Sequence, residues 1–171
     1  MRTRPSNEEY FEYFRRYVDL VPEGDIRQVL EQSLKTTTEL YGSFSEERGD
    51  YRYAPDKWSL KEVLGHMTDN ERVMSYRALR IARGDRTPMA GYDENAFIRN
   101  SSFNELPLAA VVEDYAAVRR STLSLLTGIS DEAWTRTGIV NGKESTARAW
   151  FYILAGHELH HLNVIRERYS R

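Results

Sequence analysis

Four long segments of this chain repeat apolar residues at the three-to-four-residue spacing of an amphipathic helix. They cover about residues 25–44, 59–83, 107–127 and 145 to the C-terminus. Ser59 and Glu62 form a capping-box pattern at the start of the second segment, and Pro107 suits a helix start in the third. Since the connecting loops differ greatly in length, we predict an all-α fold, a four-helix bundle with at least one crossover connection.

Shorter elements join and precede these segments. Ser6, with Glu9 three residues later, is typical of a helix start and predicts a short aromatic helix over residues 7–18. The connection over residues 85–106 is expected to contain one turn of helix near residues 94–99, and a further turn is expected at 131–134. Asn141-Gly142 is a turn signal, but no segment predicts a convincing β-strand. The length fits a single domain, residues 1–171.

The composition excludes several kinds of partner and site. The 24 basic and 26 acidic residues nearly cancel, so the chain has no basic field that would attract nucleic acid. The N-terminus runs into charged residues instead of an apolar signal region, and no apolar run reaches the length of about 18 residues that a membrane span needs. We therefore expect a cytoplasmic protein with neither a nucleic-acid nor a membrane partner. Cysteine is absent, which leaves nitrogen and oxygen as the strong ligand atoms for any metal.

The four histidines lie at positions 66, 157, 160 and 161. His157 and His161 are four residues apart at the centre of the apolar stripe of the last helix, so their imidazoles can converge on one point. His66 flanks the apolar stripe of the second long helix and can also face inward, whereas His160 falls at the edge of its stripe. Each could instead be a hydrogen-bonded core histidine. However, leaving two neighbouring imidazoles unpaired costs about 1–3 kcal/mol each, and one metal ion satisfies both.

The pattern therefore predicts a three-histidine site, His66, His157 and His161, for one divalent transition-metal ion. Zinc is the leading candidate, and nickel, copper or iron also suit neutral nitrogen ligands. A competing interpretation is that residues 157–161 form the H-E-x-x-H motif of zincin peptidases, with Glu158 as general base. Only ten residues follow His161 and none is a histidine, so an upstream third ligand fits better than a zincin site.

Several stretches together resemble the DinB-like (DinB/YfiT-like) superfamily of metal-dependent proteins, over nearly the whole chain. They are residues 58–66 (WSLKEVLGH), Asp69, Glu71-Arg72, residues 76–85 (YRALRIARGD) and residues 156–161 (GHELHH). The resemblance implies a four-helix bundle, often dimeric, whose three metal ligands map onto His66, His157 and His161. It also implies a range of activities, from transferases or isomerases that use bacillithiol or mycothiol to hydrolases, and does not select a substrate.

We consider two classes of function. In the first, the protein is a metal-dependent enzyme that carries out thiol-dependent group transfer or hydrolysis on a small molecule, with Glu158 as a weak catalytic candidate. In the second, it is a non-catalytic metal- or ligand-binding module. Two further sets of residues are candidates for supporting roles. Those near the metal are Asn70, Glu71 and Arg72, and those that could line a pocket are Trp58, Tyr92 and Trp150.

A homodimer is the expected assembly. The aromatic residues of the N-terminal segment spread around the predicted helix, so one face could cover the bundle while another meets a second subunit. These residues are Tyr10, Phe11, Tyr13, Phe14 and Tyr17. The alternative is that the segment covers only its own bundle.

Overall fold

The structure is a computed structural model that describes residues 3–169. Its helices are α1 (Arg15–Val18), α2 (Ile26–Gly42), α3 (Glu46–Gly49), α4 (Leu60–Ala82), α5 (Glu94–Arg99), α6 (Leu108–Thr127), α7 (Asp131–Trp134) and α8 (Ala147–Arg168). Three 3-10 turns cover Asn7–Glu9, Glu12–Phe14 and Phe103–Glu105. The predicted four-helix bundle is confirmed, with α2, α4, α6 and α8 as its long helices.

The four long helices form a ring in which neighbours in sequence are not always neighbours in space. Helix α4 packs along α6 and α8, and α2 packs along the same two helices. Helices α2 and α4 therefore lie across one diagonal of the bundle, and α6 and α8 across the other. The connections α2–α4 and α6–α8 cross the bundle, in agreement with the predicted crossover. None of the helices in residues 3–169 has both the length and the apolar character needed to cross a bilayer.

A short β-hairpin corrects the sequence prediction that no strand is present. Strand β1 (Thr137–Val140) pairs antiparallel with β2 (Lys143–Thr146) across the turn at Asn141 and Gly142. Both turn residues have positive φ, 49° and 76°, as a two-residue hairpin turn requires. The turn signal was correct, but strands of four residues are too short for an alternating pattern to be recognised. The backbone of Met89 pairs with β1 and joins the long connection to the hairpin.

The N-terminal segment is not one continuous helix. It consists of two 3-10 turns and the short α1, interrupted by extended backbone at Tyr10 and Phe11. The interruption lets the segment follow the outside of α8, with Tyr10 and Tyr17 buried and Tyr13 exposed. Gly156 makes this close approach possible, because a Cβ there would lie 1.9 Å from the Tyr17 carbonyl oxygen.

A buried ion network joins all four long helices. The Arg119 guanidinium on α6 donates through Nε and Nη2 to the Glu71 carboxylate on α4, at 2.8 and 2.7 Å. It also donates to Glu158 on α8 at 2.6 Å and to the Leu30 carbonyl on α2 at 3.2 Å. Arg119, Glu71 and Glu158 are only 1–3% exposed. Because each charge is buried, each depends on these partners to offset its lost hydration.

We expect Arg119→Met to lower the free energy of unfolding by about 3–5 kcal/mol, since it leaves two buried carboxylates without their shared cation. The neighbouring Arg120 is a matched control, because it pairs with Glu113 on the surface. Arg120→Met should cost about 0–1 kcal/mol. Urea denaturation of both variants measures the difference, and equal losses would contradict a central role for the network.

Candidate metal centre

The three candidate ligands come from the two helices α4 and α8. The capping box places the start of α4, with the Glu62 amide donating to Ser59 Oγ at 3.1 Å and the Ser59 amide donating to Glu62 Oε2 at 2.8 Å. His66 follows on the second turn of this helix. His157 and His161 lie one turn apart on α8, which packs along α4. The helix periodicity and the α4–α8 contact together bring the three rings to one point.

The three imidazoles converge through their Nε2 atoms. His157 Nε2 lies 3.0 Å from His66 Nε2 and 3.2 Å from His161 Nε2. One nitrogen of each ring falls within 4.8 Å of the other two. Two nitrogens bound to one ion at about 2.0–2.1 Å lie about 3.0–3.4 Å apart, depending on the coordination angle. The two separations from His157 Nε2 fit that range.

Hydrogen bonding alone does not satisfy this arrangement. A neutral imidazole nitrogen carries either one proton or one lone pair, so His157 Nε2 can make one ordinary hydrogen bond with its two histidine neighbours. For the second contact, His157 Nε2 then has no further proton or lone pair to offer. A metal ion instead accepts one lone pair from each ring. The donor set therefore fits a transition metal better than a purely hydrogen-bonded core.

Burial keeps the three rings neutral. It lowers the pKa of His66 from 6.5 to about 4. Burial is also the main cause that holds the pKa of His157 and of His161 well below the usual value, and the neighbouring imidazoles lower both further. Neutral rings keep the lone pairs that a metal needs.

Aromatic rings surround the histidine cluster and limit the movement of its members. The ring centres of Trp58 and His66 lie 4.7 Å apart. The Tyr17 ring contacts the His157 ring edge-on, with 5.3 Å between the ring centres. Trp58 therefore packs against a candidate ligand. His160 lies outside the cluster and contacts Tyr17 and His161 at its side.

A cavity of about 460 Å³ opens beside His157. Its walls come from the N-terminal segment, α4, the connection before α5, the hairpin turn and α8. They are formed by Phe11, Tyr13, Phe14, Tyr17, Asn70, Met74, Arg77, Gly91, Tyr92, Asp93, Glu94, Val140, Asn141, Trp150 and His157. Tyr92 and Trp150 thus line the cavity, as the sequence suggested, whereas Trp58 does not. The volume lies within the range of about 300–1,000 Å³ that small-molecule sites occupy.

Glu158 lies on a different side of α8 from the histidine cluster. Its carboxylate accepts hydrogen bonds from Arg119, from Thr37 at 2.6 Å and from the Tyr115 hydroxyl. These donors hold it in the ion network, which favours a structural role over the general base of a zincin. Glu71 belongs to the same network.

The other two residues suggested for supporting roles have different surroundings. Asn70 lines the cavity. Arg72 instead pairs with Asp69 at 3.1 Å and with Asp114 at 2.5 Å on the surface, away from the histidines.

Two sets of cavity residues were not identified from the sequence. Arg77 shares one face of α4 with His66 and Asn70, eleven and seven residues before it, and this spacing could have revealed it. The sequence predicts that the N-terminal aromatic residues cover the bundle or contact a second subunit. No pattern in the neighbouring sequence indicates that they also line a cavity.

Comparison with known proteins agrees with the fold. The family model of the DinB superfamily matches residues 29–165. The chain belongs to the DinB superfamily. Among solved structures, YfiT from Bacillus subtilis superimposes with a TM-score of 0.69 at 17% identity, over 96% of this chain and 90% of that one. YfiT is described as a probable metal-dependent hydrolase with an unusual four-helix bundle topology. No curated protein sequence matches the chain significantly.

The lowered pKa of His66 predicts a pH-dependent stability of the metal-free protein. Unfolded histidine takes up a proton near pH 6.5, whereas folded His66, with a pKa of about 4, stays neutral. Stability present above pH 6.5 is therefore lost as the pH falls toward 4, by about 3 kcal/mol for this residue. Urea denaturation at pH 7 and pH 4 should show a smaller loss for His66→Phe than for the wild type. An equal loss of unfolding free energy in both proteins would contradict the lowered pKa of His66.

Proposed function

We propose that this DinB-superfamily protein binds one divalent transition-metal ion through His66, His157 and His161 and is an enzyme that acts on a small molecule in the adjoining cavity. The observation that carries the proposal is the convergence of three neutral Nε2 atoms, one of which belongs to His157, a residue of the cavity wall. Zinc is the first candidate, with nickel, copper or iron as alternatives for the same donor set.

A donor set of three protein ligands favours an enzyme over a structural metal site. Structural zinc sites have four protein ligands, whereas catalytic sites use three and leave one position for water or substrate. Within residues 3–169, the candidate metal-binding group contains the three histidines and no carboxylate. This favours catalysis over a non-catalytic binding module.

Hydrolysis is the reaction that the observations support best. A bound metal ion of this kind supplies Lewis acidity and lowers the pKa of a coordinated water. The residues around it hold the His66 and His157 rings in place and provide an aromatic wall for a substrate. The YfiT description as a probable hydrolase supports the same reaction class. Thiol-dependent group transfer with a low-molecular-weight thiol stays a prediction, because no feature of the cavity identifies a thiol.

The metal site is tested by binding. We expect the wild-type protein to take up about one equivalent of zinc or nickel and to melt at a higher temperature when loaded. His157→Ala and His161→Ala should each weaken binding by more than about 100-fold, because each removes one of three ligands. His160→Ala is the matched control and should bind as the wild type does. Isothermal titration calorimetry and elemental analysis measure the stoichiometry, and metal binding that survives both ligand substitutions would contradict the site.

The reaction is tested by a panel of substrates. Zinc- or nickel-loaded protein is assayed with esters and amides, and separately with model electrophiles plus bacillithiol, mycothiol or glutathione. We expect turnover of esters or amides without any thiol, and loss of that turnover in His157→Ala. Turnover that requires a thiol would instead assign the protein to group transfer, and loaded protein that turns over nothing while binding a ligand would favour the non-catalytic module.

The homodimer also stays a prediction. Most of the N-terminal aromatic residues face the protein's own bundle. The ring centres of Phe14 and Trp150 lie 5.6 Å apart, and Tyr17 packs edge-on against His157. Tyr13 remains 57% exposed and is the large aromatic residue of this segment that a second subunit could cover.

A further inference from the structure

Arg77 is a buried cation without a carboxylate partner. The residue is 6% exposed and lines the cavity beside the histidine cluster. Its guanidinium donates to the Ala90 carbonyl at 2.9 Å and lies 4.9 Å from the centre of the Trp150 ring. Within residues 3–169 no acidic group comes within ion-pair distance of it. Arg119, which is also deeply buried, differs because it contacts two carboxylates.

Burying an unpaired charge is costly, and the cost falls when an anion supplies the missing partner. A guanidinium with free N–H groups binds a carboxylate through two parallel hydrogen bonds. Because the cavity wall leaves Arg77 in contact with open space, the partner can come from solution. The inner part of the cavity is thus suited to an anionic group.

Asn70 provides a second, independent observation at the same cavity. The residue is 3% exposed, and its Oδ1 is buried with no hydrogen-bond partner, while Nδ2 donates to the Tyr92 hydroxyl at 2.7 Å. A buried polar atom of this kind is normally satisfied. Because an amide oxygen only accepts, its missing partner indicates a hydrogen-bond donor, such as a hydroxyl or N–H group on the body of a ligand, that the described chain does not provide.

The remaining walls define the rest of the ligand. They are mainly aromatic or apolar, with contributions from Phe14, Tyr17, Met74 and Trp150. Two acidic residues, Asp93 and Glu94, also line the cavity, but both are exposed. The Asp93 carboxylate accepts two backbone N–H groups at the start of α5, at 2.9 and 3.1 Å. Exposed charges are screened by water and salt, so the buried cation determines the preference.

We infer that the cavity binds a small carboxylate with an aromatic or apolar body, and that Arg77 binds its carboxylate group. The body would lie between the aromatic walls and extend toward His157. The inference deepens the proposed function by naming a substrate class, and the part concerning reaction at the histidine cluster rests on that proposal. Binding at Arg77 does not require a metal, so the two can fail separately.

The test uses protein from which metal has been removed with a chelator, so that a carboxylate cannot bind through an ion. Phenylacetate, phenylacetamide and benzylamine are titrated while tryptophan fluorescence is followed, because Trp150 lines the cavity. We expect phenylacetate to bind at least tenfold more tightly than the neutral amide. Benzylamine should bind most weakly. Equal binding of the three probes, or preference for the amine, would overturn the inference.

Variants of α4 locate the binding group. Arg77→Gln should remove the preference for phenylacetate over the amide, and Arg77→Lys, which keeps the charge, should retain part of it. Arg80→Gln is the matched control, because Arg80 lies one turn away, pairs with Asp85 and is not part of the cavity wall. Circular dichroism checks that each variant is folded. An undiminished preference in folded Arg77→Gln would overturn the assignment of Arg77 as the binding group. Phenyl phosphate is a further probe, and tighter binding of it than of phenylacetate would overturn the choice of a carboxylate ligand.

Comparison with the metal titrations separates the two proposals. Phenylacetate binding that depends on Arg77 in a protein that takes up no metal would sustain the carboxylate site and reject the proposed metal enzyme. Phenylacetate binding that requires zinc and is unchanged in Arg77→Gln would reject the carboxylate site while leaving the metal site in place.

Discussion

The contact of Arg119 with Glu71 and Glu158 is the interaction on which the rest of the structure depends. One guanidinium and two carboxylates are enclosed between four helices, and the hydroxyls of Thr37 and Tyr115 complete the hydrogen bonding of Glu158. Charged groups at this depth tolerate little displacement, because each lost contact leaves a charge without hydration. The network therefore sets how far α4 and α8 can slide along or rotate about one another.

That constraint extends to the histidine cluster. Glu71 lies five residues after His66 on α4, and Glu158 follows His157 directly on α8, so each helix carries one member of the ion network and at least one candidate ligand. The network and the cluster occupy different sides of the same helix pair. A rotation that separated the Nε2 atoms of His66 and His157, which lie 3.0 Å apart, would also disturb the contacts of Arg119. The position of Glu158 explains why H-E-x-x-H does not by itself specify a peptidase: its carboxylate is held by partners from α2 and α6.

The cavity is assembled from parts of the chain that lie far apart in sequence. Tyr17 reaches α8 because Gly156 has no side chain to oppose its backbone. The hairpin turn at Asn141 and the connection around Tyr92 complete the opposite wall. A site of this construction combines rigid helices, which hold the histidines and Arg77, with loops that shape the space in front of them. Such loops can change in sequence without moving the helices that hold the histidines and Arg77.

The sequence by itself determined the four long helices, the cap at Ser59 and the alignment of His157 with His161, because helix periodicity and capping depend on residues close together in the chain. It also indicated that His66 could complete the cluster, since few alternative ligands exist. The tertiary structure decided which side of α8 meets α4, that Glu158 joins Arg119, and that Arg77 lines a cavity without an acidic partner. Those properties depend on contacts between segments far apart in the chain, such as that between His66 and His157, which are 91 residues apart. A local pattern carries no information about which distant side chain will share a buried position.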